Sequence, residues 1–359
     1  MYHLNLSQEH NEVLSNILNP EEAQELKLQI DALGVTNHYA LFSSGTSGGP
    51  MKGYLLSREA LLKKAAAVNQ RLGLGENDKW GASLPAYHIG GLAIYFRAEL
   101  LGHTPVNLRP WNPAFTTAQI QRENVTVISL VPAQLYDLVS EELKCPACLK
   151  AVLIGGDFLS QKLESEARRL GWPLVKTFGM SEVGSQLCTG EDSEGYLRPL
   201  PIHEIKADEL GQLKIKSESL FSFLITRQER SWSFKPASEL QDPEGFLPLP
   251  DRVEIKKGHL LHLGRLDESK KLSGHLVNLR SIKEVMEKLT VEEKLWGEME
   301  VKLEAHPRSG QRLILHHTSK VPEKLIRQFT ELISPVKIDQ IIHQSRIART
   351  ELGKFKLKE

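Results

Sequence analysis

The chain has 359 residues, of which 40% are hydrophobic and 25% charged, a balance typical of a soluble globular protein rather than a disordered one. Its 45 basic residues are matched by 45 acidic ones, which argues against a nucleic-acid surface built on net positive charge and favours a small-molecule partner. The length exceeds that of one usual hydrophobic core, so we expect a large domain and a smaller one.

The first twenty residues, MYHLNLSQEHNEVLSNILNP, lack the basic start and the apolar core of a signal peptide. No apolar run approaches the length of a bilayer span, so we expect a cytoplasmic protein without membrane insertion. Cys145 and Cys148 have the spacing of half a zinc site, but no second ligand pair accompanies them. We therefore expect no metal or redox role for the three cysteines.

From residue 38 onward, short apolar runs alternate with amphipathic helical patterns, as in βαβ units. Tyr39 to Phe42 predicts a strand, which is followed by a glycine-rich loop and by a helix capped by Ser57 that runs to about Leu72. The later patterns predict strands at 125–131, 150–156 and 173–178, and helices at 133–143 and 160–171. These strand sequences are nearly all apolar, which favours parallel strands covered on both faces.

Residues 195–264 contain many prolines, glycines and short alternating pieces, which predicts β-rich structure with turns. A helix at 280–289, strands near 299–304 and 312–318, and a helix near 323–334 then predict a small α+β unit. The expected fold class is α/β. A large N-terminal domain, residues 1–265, would hold mainly parallel sheets flanked by helices plus the β-rich part, and residues 266–359 would form the small domain.

Three predicted strands end in residues suited to contacting a ligand: SSGTSGG, Gly155-Gly156-Asp157 and FGMSE (178–182). Open α/β sheets bind ligands beyond the carboxyl ends of their strands, so we expect the three turns to meet at one site. The glycine-rich turn has the backbone N–H groups, hydroxyls and lysine that bind phosphate. It is not a Walker A motif, because Pro50 and Gly53 stand where that motif needs glycine and Ser or Thr. A flexible linker is the alternative.

Six segments occur in the order in which the adenylate-forming enzymes carry their motifs. They are SGTSGGP with Lys52-Gly53, LPAYHIGGL (84–92), VLIGGD (152–157), FGMSE, GRLDESKKLSG (264–274) and RTELGK (349–354). The chain thus resembles the superfamily of acyl-CoA synthetases, peptide-synthetase adenylation domains and luciferases. Three longer segments are most similar to the o-succinylbenzoate-CoA ligases of menaquinone biosynthesis: SLPAYHIGGLAIYFRAELLG, ISLVPAQLYDLV and LKAVLIGGDFL.

The resemblance implies an ATP-dependent acid–thiol ligase that uses ATP, Mg²⁺ and coenzyme A and acts on a small carboxylic acid. It implies that the triphosphate is bound by Ser44, Gly45, Thr46, Ser47, Gly48, Gly49 and Lys52. It places the rest of the nucleotide against Gly156, Asp157, Phe178, Gly179, Met180, Asp251 and Arg265. The implied catalytic residues are Lys354, Ser181, Glu182 and His88, with Glu182 also holding the metal. The small domain is expected to be mobile about Asp267, and its movement would bring Lys271 toward coenzyme A.

An o-succinylbenzoate has an aromatic ring and two carboxylates, only one of which is activated. We expect His88 and Gly156 to line the ring pocket and Arg97 to bind the second carboxylate; a solvated helix charge is the alternative for Arg97. Met51 separates Pro50 from Lys52, where the family has them adjacent, so the extra residue shifts the reach of the lysine.

Only about forty residues precede the glycine-rich turn, whereas relatives carry a longer N-terminal subdomain that often contributes dimer contacts. A homodimer is therefore left open. Three functions stay open as well: the ligase, an enzyme that loads a carrier protein, and a nucleotide-binding module without catalysis.

Overall fold

The structure is a computed structural model that describes residues 10–42, 51–228, 231–266, 269–272, 275–306 and 310–349. The helices described are α1 (Pro20–Ala32), α2 (Arg58–Leu72), α3 (Ile89–Leu100), α4 (Pro113–Glu123), α5 (Pro132–Ser140), α6 (Gln161–Arg169), α7 (Leu279–Glu292) and α8 (Glu323–Leu332). The first ten strands are β1 (Glu12–Leu14), β2 (His38–Phe42), β3 (Lys52–Ser57), β4 (Trp80–Ala82), β5 (Val106–Asn107), β6 (Val127–Leu130), β7 (Ala151–Ile154), β8 (Leu174–Met180), β9 (Ser185–Glu191) and β10 (Leu197–Pro199). The later ones are β11 (His203–Ala207), β12 (Gln212–Ser217), β13 (Phe223–Gln228), β14 (Ser231–Pro236), β15 (Leu247–Lys256), β16 (His259–Arg265), β17 (Ser269–Leu272), β18 (His275–Asn278), β19 (Met299–His306), β20 (Gly310–His317) and β21 (Gln340–His343).

A parallel sheet with the strand order β5-β4-β6-β7-β8 forms the centre of the large part of the chain. Ile128 and Leu130 face a cluster that includes side chains of α4, α5 and α6. Val127, the neighbour of Ile128, faces the opposite cluster with side chains of α2 and α3. Alternate residues of a strand point to opposite faces, so an all-apolar strand is covered on both sides. The predicted α/β fold with parallel strands is confirmed.

Strand β8 joins the parallel sheet to the β-rich part. Its first residues pair in parallel with β7, and from Thr177 onward it pairs antiparallel with β9. The sheet then continues through β10, β16, β15, β12 and β11, so that it holds eleven strands. The β-rich structure predicted for residues 195–264 lies here, and its edge beside β8 carries the residues of the candidate site.

One prediction about the glycine-rich segment is wrong. A second sheet, ordered β1-β2-β3-β13-β14, pairs β2 antiparallel with β3, and Phe42 lies opposite Gly53. Residues 43–50 therefore connect β2 to the antiparallel strand β3. Strand β3, which was not predicted, comes between the glycine-rich segment and α2. The sequence KGYLLS is short and runs directly into the Ser57-capped helix, so the helical pattern obscured it. Residues 43–50 themselves lie outside the described residues.

The C-terminal part has its own hydrophobic core. Met286 of α7, Phe329 of α8 and Leu315 of β20 pack in one cluster of buried side chains. Strands β19, β20 and β21 form one sheet, and β17 and β18 form a hairpin. The α+β unit predicted from residue 280 onward is thus present.

A search of the described helices for a long apolar stretch found none that could cross a membrane.

Candidate functional site

The turn after β8 is shaped by a close contact between two backbone segments. At Gly179 a Cβ atom would lie only 2.2 Å from the carbonyl oxygen of Ser185, so a residue with a side chain would push β8 and β9 apart. Gly179 pairs with Gln186 across this narrow hairpin, whose turn is a short 3-10 helix at Ser181–Val183. The hairpin presents Ser181 and Glu182 at the end of β8.

Glu182 lies against the second sheet. The Tyr54 hydroxyl on β3 donates a 2.7 Å hydrogen bond to Glu182 Oε1. Burial raises the pKa of Glu182, and the nearby Asp251 carboxylate adds to that effect, whereas the Tyr54 hydrogen bond and the positive charge of Arg265 oppose it. A carboxyl group in such surroundings is stabilised in its charged form by an added cation.

Asp251 and Arg265 lie on neighbouring strands beside Glu182. They are direct partners in the β15–β16 pair, and both influence the charge of Glu182. Asp251 is only 6% exposed, and His262 Nε2 lies 2.8 Å from its Oδ1. The structure therefore brings together three predicted site residues from three separate parts of the sequence.

The Phe178 ring completes this group from the β8 side. Its centroid lies 4.5 Å from that of the His262 ring, and His262 in turn contacts Asp251. The His262 side chain thus lies between the Phe178 ring and the buried Asp251 carboxylate. That carboxylate can accept two hydroxyl donors. That combination suits a nucleoside, with the base on the ring and the ribose on the carboxylate.

The Gly155-Gly156-Asp157 turn faces the C-terminal part. Gly156 has a φ of 85°, in the region that favours glycine. A cavity of about 70 Å³ lies between this turn and α7, and Asp157, Lys283, Glu287, Trp296 and Arg349 are among its lining residues. Asp157 interacts electrostatically with Lys283 and Glu287. Its predicted contact with the nucleotide stays a prediction.

His88 and Arg97 stand at the two ends of α3. His88 is half-buried at the N-cap position, with its ring centroid 4.7 Å from that of Tyr87. Arg97 is 1% exposed, its Nη2 donates a 2.9 Å hydrogen bond to Ser185 Oγ, and its guanidinium lies 5.2 Å from the centre of the Trp80 ring. The alternative of a solvated helix charge is therefore wrong. The contact with Ser185 places Arg97 directly behind the hairpin that carries Glu182.

Several predicted residues are placed only in part. Lys52 begins β3 and is exposed, and Lys271 lies in β17 opposite Leu276. Outside the described residues are Ser44, Gly45, Thr46, Ser47, Gly48, Gly49, Asp267 and Lys354.

Three residues of this region were not predicted: Tyr54, His262 and Lys64. Lys64 is 0% exposed, and its Nζ donates to the Gln186 carbonyl and contacts His203 Nε2. One signal was available, because Leu61, Lys64 and Val68 follow the spacing of one helix face and the other two are apolar. Tyr54 was not predicted because strand β3 was not recognised. His262 was not predicted because no motif surrounds it.

The cysteines and other metal-binding side chains form no separate centre in the part of the chain that is described. Cys145, Cys148 and Cys188 are free thiols, and burial raises the pKa of Cys145 and of Cys188 to about 12. No group of three His, Cys, Asp or Glu side chains that could hold a metal ion occurs among the described residues. A metal at Glu182 would therefore need oxygens from a bound ligand as well.

Curated proteins match part of this chain. A curated relative, the 2-succinylbenzoate--CoA ligase of Bacillus subtilis (strain 168), is 29% identical over 258 residues, which cover 65% of this chain and 52% of the relative. The corresponding ligase of Bacillus cytotoxicus is 32% identical over 151 residues, covering 42% of this chain and 31% of its own. The chain thus spans about half or less of these relatives.

Solved structures share the fold. The o-succinylbenzoate CoA synthetase of Bacillus subtilis, in complex with the acyl-adenylate intermediate OSB-AMP, superposes with a TM-score of 0.72 at 23% identity and covers 88% of this chain and 67% of its own. The McyG A-PCP structure complexed with phenylalanyl-adenylate gives a TM-score of 0.69 at 17% identity, covering 89% and 64%.

The family model of the AMP-binding enzymes matches residues 10–211, more than half of the chain. The matched range holds β8, the hairpin with Glu182 and the buried Arg97, all of which belong to the site described above. The chain belongs to the family of AMP-binding enzymes.

Proposed function

We propose that the chain is an ATP-dependent, AMP-forming acid–CoA ligase whose acid is an aromatic dicarboxylate of the o-succinylbenzoate type. Such a ligase joins a carboxylate to AMP with release of pyrophosphate, and the thiol of coenzyme A then displaces AMP. The observation that carries this proposal is the convergence of Glu182, Asp251 and Arg265.

The nucleoside half of ATP fits the group around Phe178. The adenine would stack on the Phe178 ring, and Asp251 would accept hydrogen bonds from both ribose hydroxyls, with Arg265 as the neighbouring cation. Asp251 is held by His262 and is almost fully buried, so its oxygens are fixed before the nucleotide arrives. The aromatic ring and the fixed carboxylate acceptor therefore suit a nucleoside.

The phosphate half needs positive charge, because an anionic acid must approach a polyanionic triphosphate. Mg²⁺ would be held by Glu182 together with phosphate oxygens, which is the usual mode for this ion, and would supply the charge that lowers the repulsion. Residues 44–49 and Lys52 would bind the remaining phosphate oxygens, and Ser181 would face the α-phosphate.

The acid half is supported by Arg97. The buried Arg97 guanidinium donates to Ser185 through Nη2, and its Nε has no partner among the described residues, so it can still donate to a carboxylate. Because that carboxylate would be the one that is not activated, the acid carries at least two. Two curated relatives bear the name of a 2-succinylbenzoate ligase, which supports an acid of this class.

The proposed two-step reaction would use a division of the chain between residues 265 and 266. We propose that residues 266–359 swing about Asp267, with Lys354 serving the first step and the segment around Lys271 facing coenzyme A in the second. Stacking of Tyr136 in the large part on Trp296 in the C-terminal part, with centroids 5.1 Å apart, supports a definite docking position. The proposed location is the cytoplasm, where ATP and coenzyme A occur. A homodimer would be detected by size-exclusion chromatography with light scattering.

The test is a panel of carboxylic acids, with o-succinylbenzoate first, assayed for pyrophosphate release and for acyl-CoA. The proposal predicts pyrophosphate release and acyl-CoA formation with o-succinylbenzoate, and much weaker activity with benzoate. Acid-dependent pyrophosphate release without acyl-CoA formation would indicate a carrier-protein acceptor. ATP binding without pyrophosphate release for any acid would indicate a non-catalytic module. Either result would contradict the ligase.

A further inference from the structure

Two cationic side chains lie next to each other in the interior, behind the β8–β9 hairpin. Lys64 of α2 and Arg97 of α3 are 0% and 1% exposed. Burial lowers the pKa of Lys64, and the positive charge of Arg97 lowers it further. Burying two like charges together is costly unless an anion neutralises them.

No carboxylate in the described part of the chain neutralises this pair. The influences on the charges of Lys64 and Arg97 include burial and a thiol but no aspartate or glutamate. Glu99, two residues beyond Arg97, pairs with Arg58 instead. His203, the remaining basic group, is held neutral because burial lowers its pKa to about 2.

Some N–H donors of Lys64 and Arg97 have no acceptor among the described residues. Lys64 Nζ has three N–H groups and uses two of them on the Gln186 carbonyl and on His203 Nε2. Arg97 Nε is buried and has no hydrogen-bond partner among the residues that the structure describes. Buried donors of this kind are normally satisfied, so their pattern suits a missing acceptor with several oxygens.

We propose that Lys64 is a second cationic ligand, beside Arg97, for the carboxylate of the acid that is not activated. This inference rests on the proposed function, and it deepens it by making a dianionic acid the required substrate class. Lys64 Nζ donates to the carbonyl of Gln186, which pairs with Gly179 in the same hairpin that presents Glu182. His203 is a positioning residue that fixes the Lys64 ammonium group through its Nε2.

The chain offers a matched control in the next residue. Lys63 is on the same helix but on its surface, where Glu59 and Glu218 lie 3.0 and 3.5 Å from its Nζ. Lys64→Met and Lys63→Met therefore remove the same group with nearly the same change of shape, one inside the cluster and one outside it. Lys64→Gln keeps a donor without the charge and serves as the second variant should Lys64→Met not fold.

Binding is measured by isothermal titration calorimetry without ATP, so that it does not depend on catalysis. The probes are o-succinylbenzoate and the two monocarboxylates that lack one of its carboxylates, 3-benzoylpropionate and 2-butanoylbenzoate. We expect Lys64→Met and Lys64→Gln to weaken o-succinylbenzoate by about 10- to 100-fold, the size of one charge-assisted hydrogen bond. The same variants should change the binding of the monocarboxylate that keeps only the activated group by less than about threefold, and Lys63→Met should change neither.

The outcomes separate this inference from the ligase proposal. If wild-type protein exchanges pyrophosphate with o-succinylbenzoate but both Lys64 variants bind all three probes as tightly as Lys63→Met does, Lys64 is only a structural lysine and the inference is overturned. If the selective loss for the dicarboxylate appears while no acid supports exchange, the anion site stands and the ligase proposal fails. A uniform loss for all probes would overturn the inference, because it indicates damage to the whole pocket.

Discussion

At the scale of single residues, the site depends on pairs in which a neutral donor or a ring fixes a charged group. The Tyr54 hydroxyl fixes Glu182, and His262 fixes Asp251. Neither supporting residue belongs to a motif, yet each decides where a motif carboxylate points. Groups held in this way lose little freedom when a ligand binds, which is how pre-organisation increases affinity.

The change Tyr54→Phe tests the first of these pairs. It removes the hydroxyl but keeps the ring, which packs on Phe221 with centroids 5.1 Å apart. We expect the KM for MgATP to rise about tenfold, because a buried hydrogen bond to a charged group is worth about 1.5–3 kcal/mol and part of it is replaced by water. Steady-state kinetics at saturating acid measures this.

Tyr196→Phe is the matched control, since the Tyr196 hydroxyl also bonds a glutamate, Glu254, but at an exposed position. An equal effect of the two variants on the KM for MgATP would contradict the role given to Tyr54.

At the scale of elements, the β8–β9 hairpin is the structural centre of the account. Its two strands approach so closely at Gly179 that only glycine fits, and the 3-10 turn beyond it sets the position of Glu182. The same hairpin supplies Ser185 to Arg97 and the Gln186 carbonyl to Lys64. One hairpin thus positions both the carboxylate proposed to bind Mg²⁺ and the proposed acid site.

Gly179→Ala should therefore lower stability and activity together. A Cβ atom 2.2 Å from the Ser185 oxygen forces the strands to shift, and we expect a loss of about 2–4 kcal/mol in the free energy of unfolding. Urea denaturation followed by circular dichroism measures the loss.

Gly75→Ala is the control, because the Cβ it would carry has no neighbouring atom of the described residues within 4 Å. A Gly179→Ala protein as stable and as active as Gly75→Ala would show that the close approach of the two strands does not matter.

Some helices and strands could be predicted from the sequence, and others could not. Helix α2 and strands β6 to β8 follow from apolar periodicity and from the Ser57 cap, because these signals are local. Strand β3 was missed because its six residues have no turn signal before the helix. The pairing of Asp251 with Arg265, and the meeting of both with Glu182, depend on contacts between distant parts of the chain, so motif order could suggest but not establish them.

At the scale of the whole molecule, the large part and the C-terminal part meet at a charged interface. Glu287 of α7 is half-buried there beside Asp157 and Glu300. Loss of solvent, with these like charges, raises its pKa to about 8, although the Trp296 indole opposes the shift by donating a 3.3 Å hydrogen bond. Glu287 therefore keeps its proton in the folded, docked state at neutral pH.

This arrangement predicts a pH dependence with a definite sign. The pKa of Glu287 is raised in the folded state, from its ordinary value of 4.5 to about 8, so folding retains a proton that the unfolded chain releases. Stability from this group is present below pH 4.5 and is lost as the pH rises toward 8, by roughly 5 kcal/mol in total, since one pKa unit is worth about 1.4 kcal/mol. Thermal denaturation at intervals between pH 5 and 9 should show the decline in Tm.

In Glu287→Gln that part of the decline should vanish, whereas Glu293→Gln, at an exposed position on the turn after α7, should leave it unchanged. A wild-type slope that persists in Glu287→Gln would contradict the assignment.

The account as a whole depends on one claim, that Glu182, Asp251 and Arg265 surround a single nucleotide that reacts with an acid. The most direct measurement is ATP–pyrophosphate exchange driven by o-succinylbenzoate, in the wild-type chain and in Glu182→Gln. The account predicts acid-dependent exchange in the wild type and a loss of at least about 100-fold in the variant, the size of one lost transition-state contact. Exchange that is absent for the wild type, or equal in the two proteins, would contradict it.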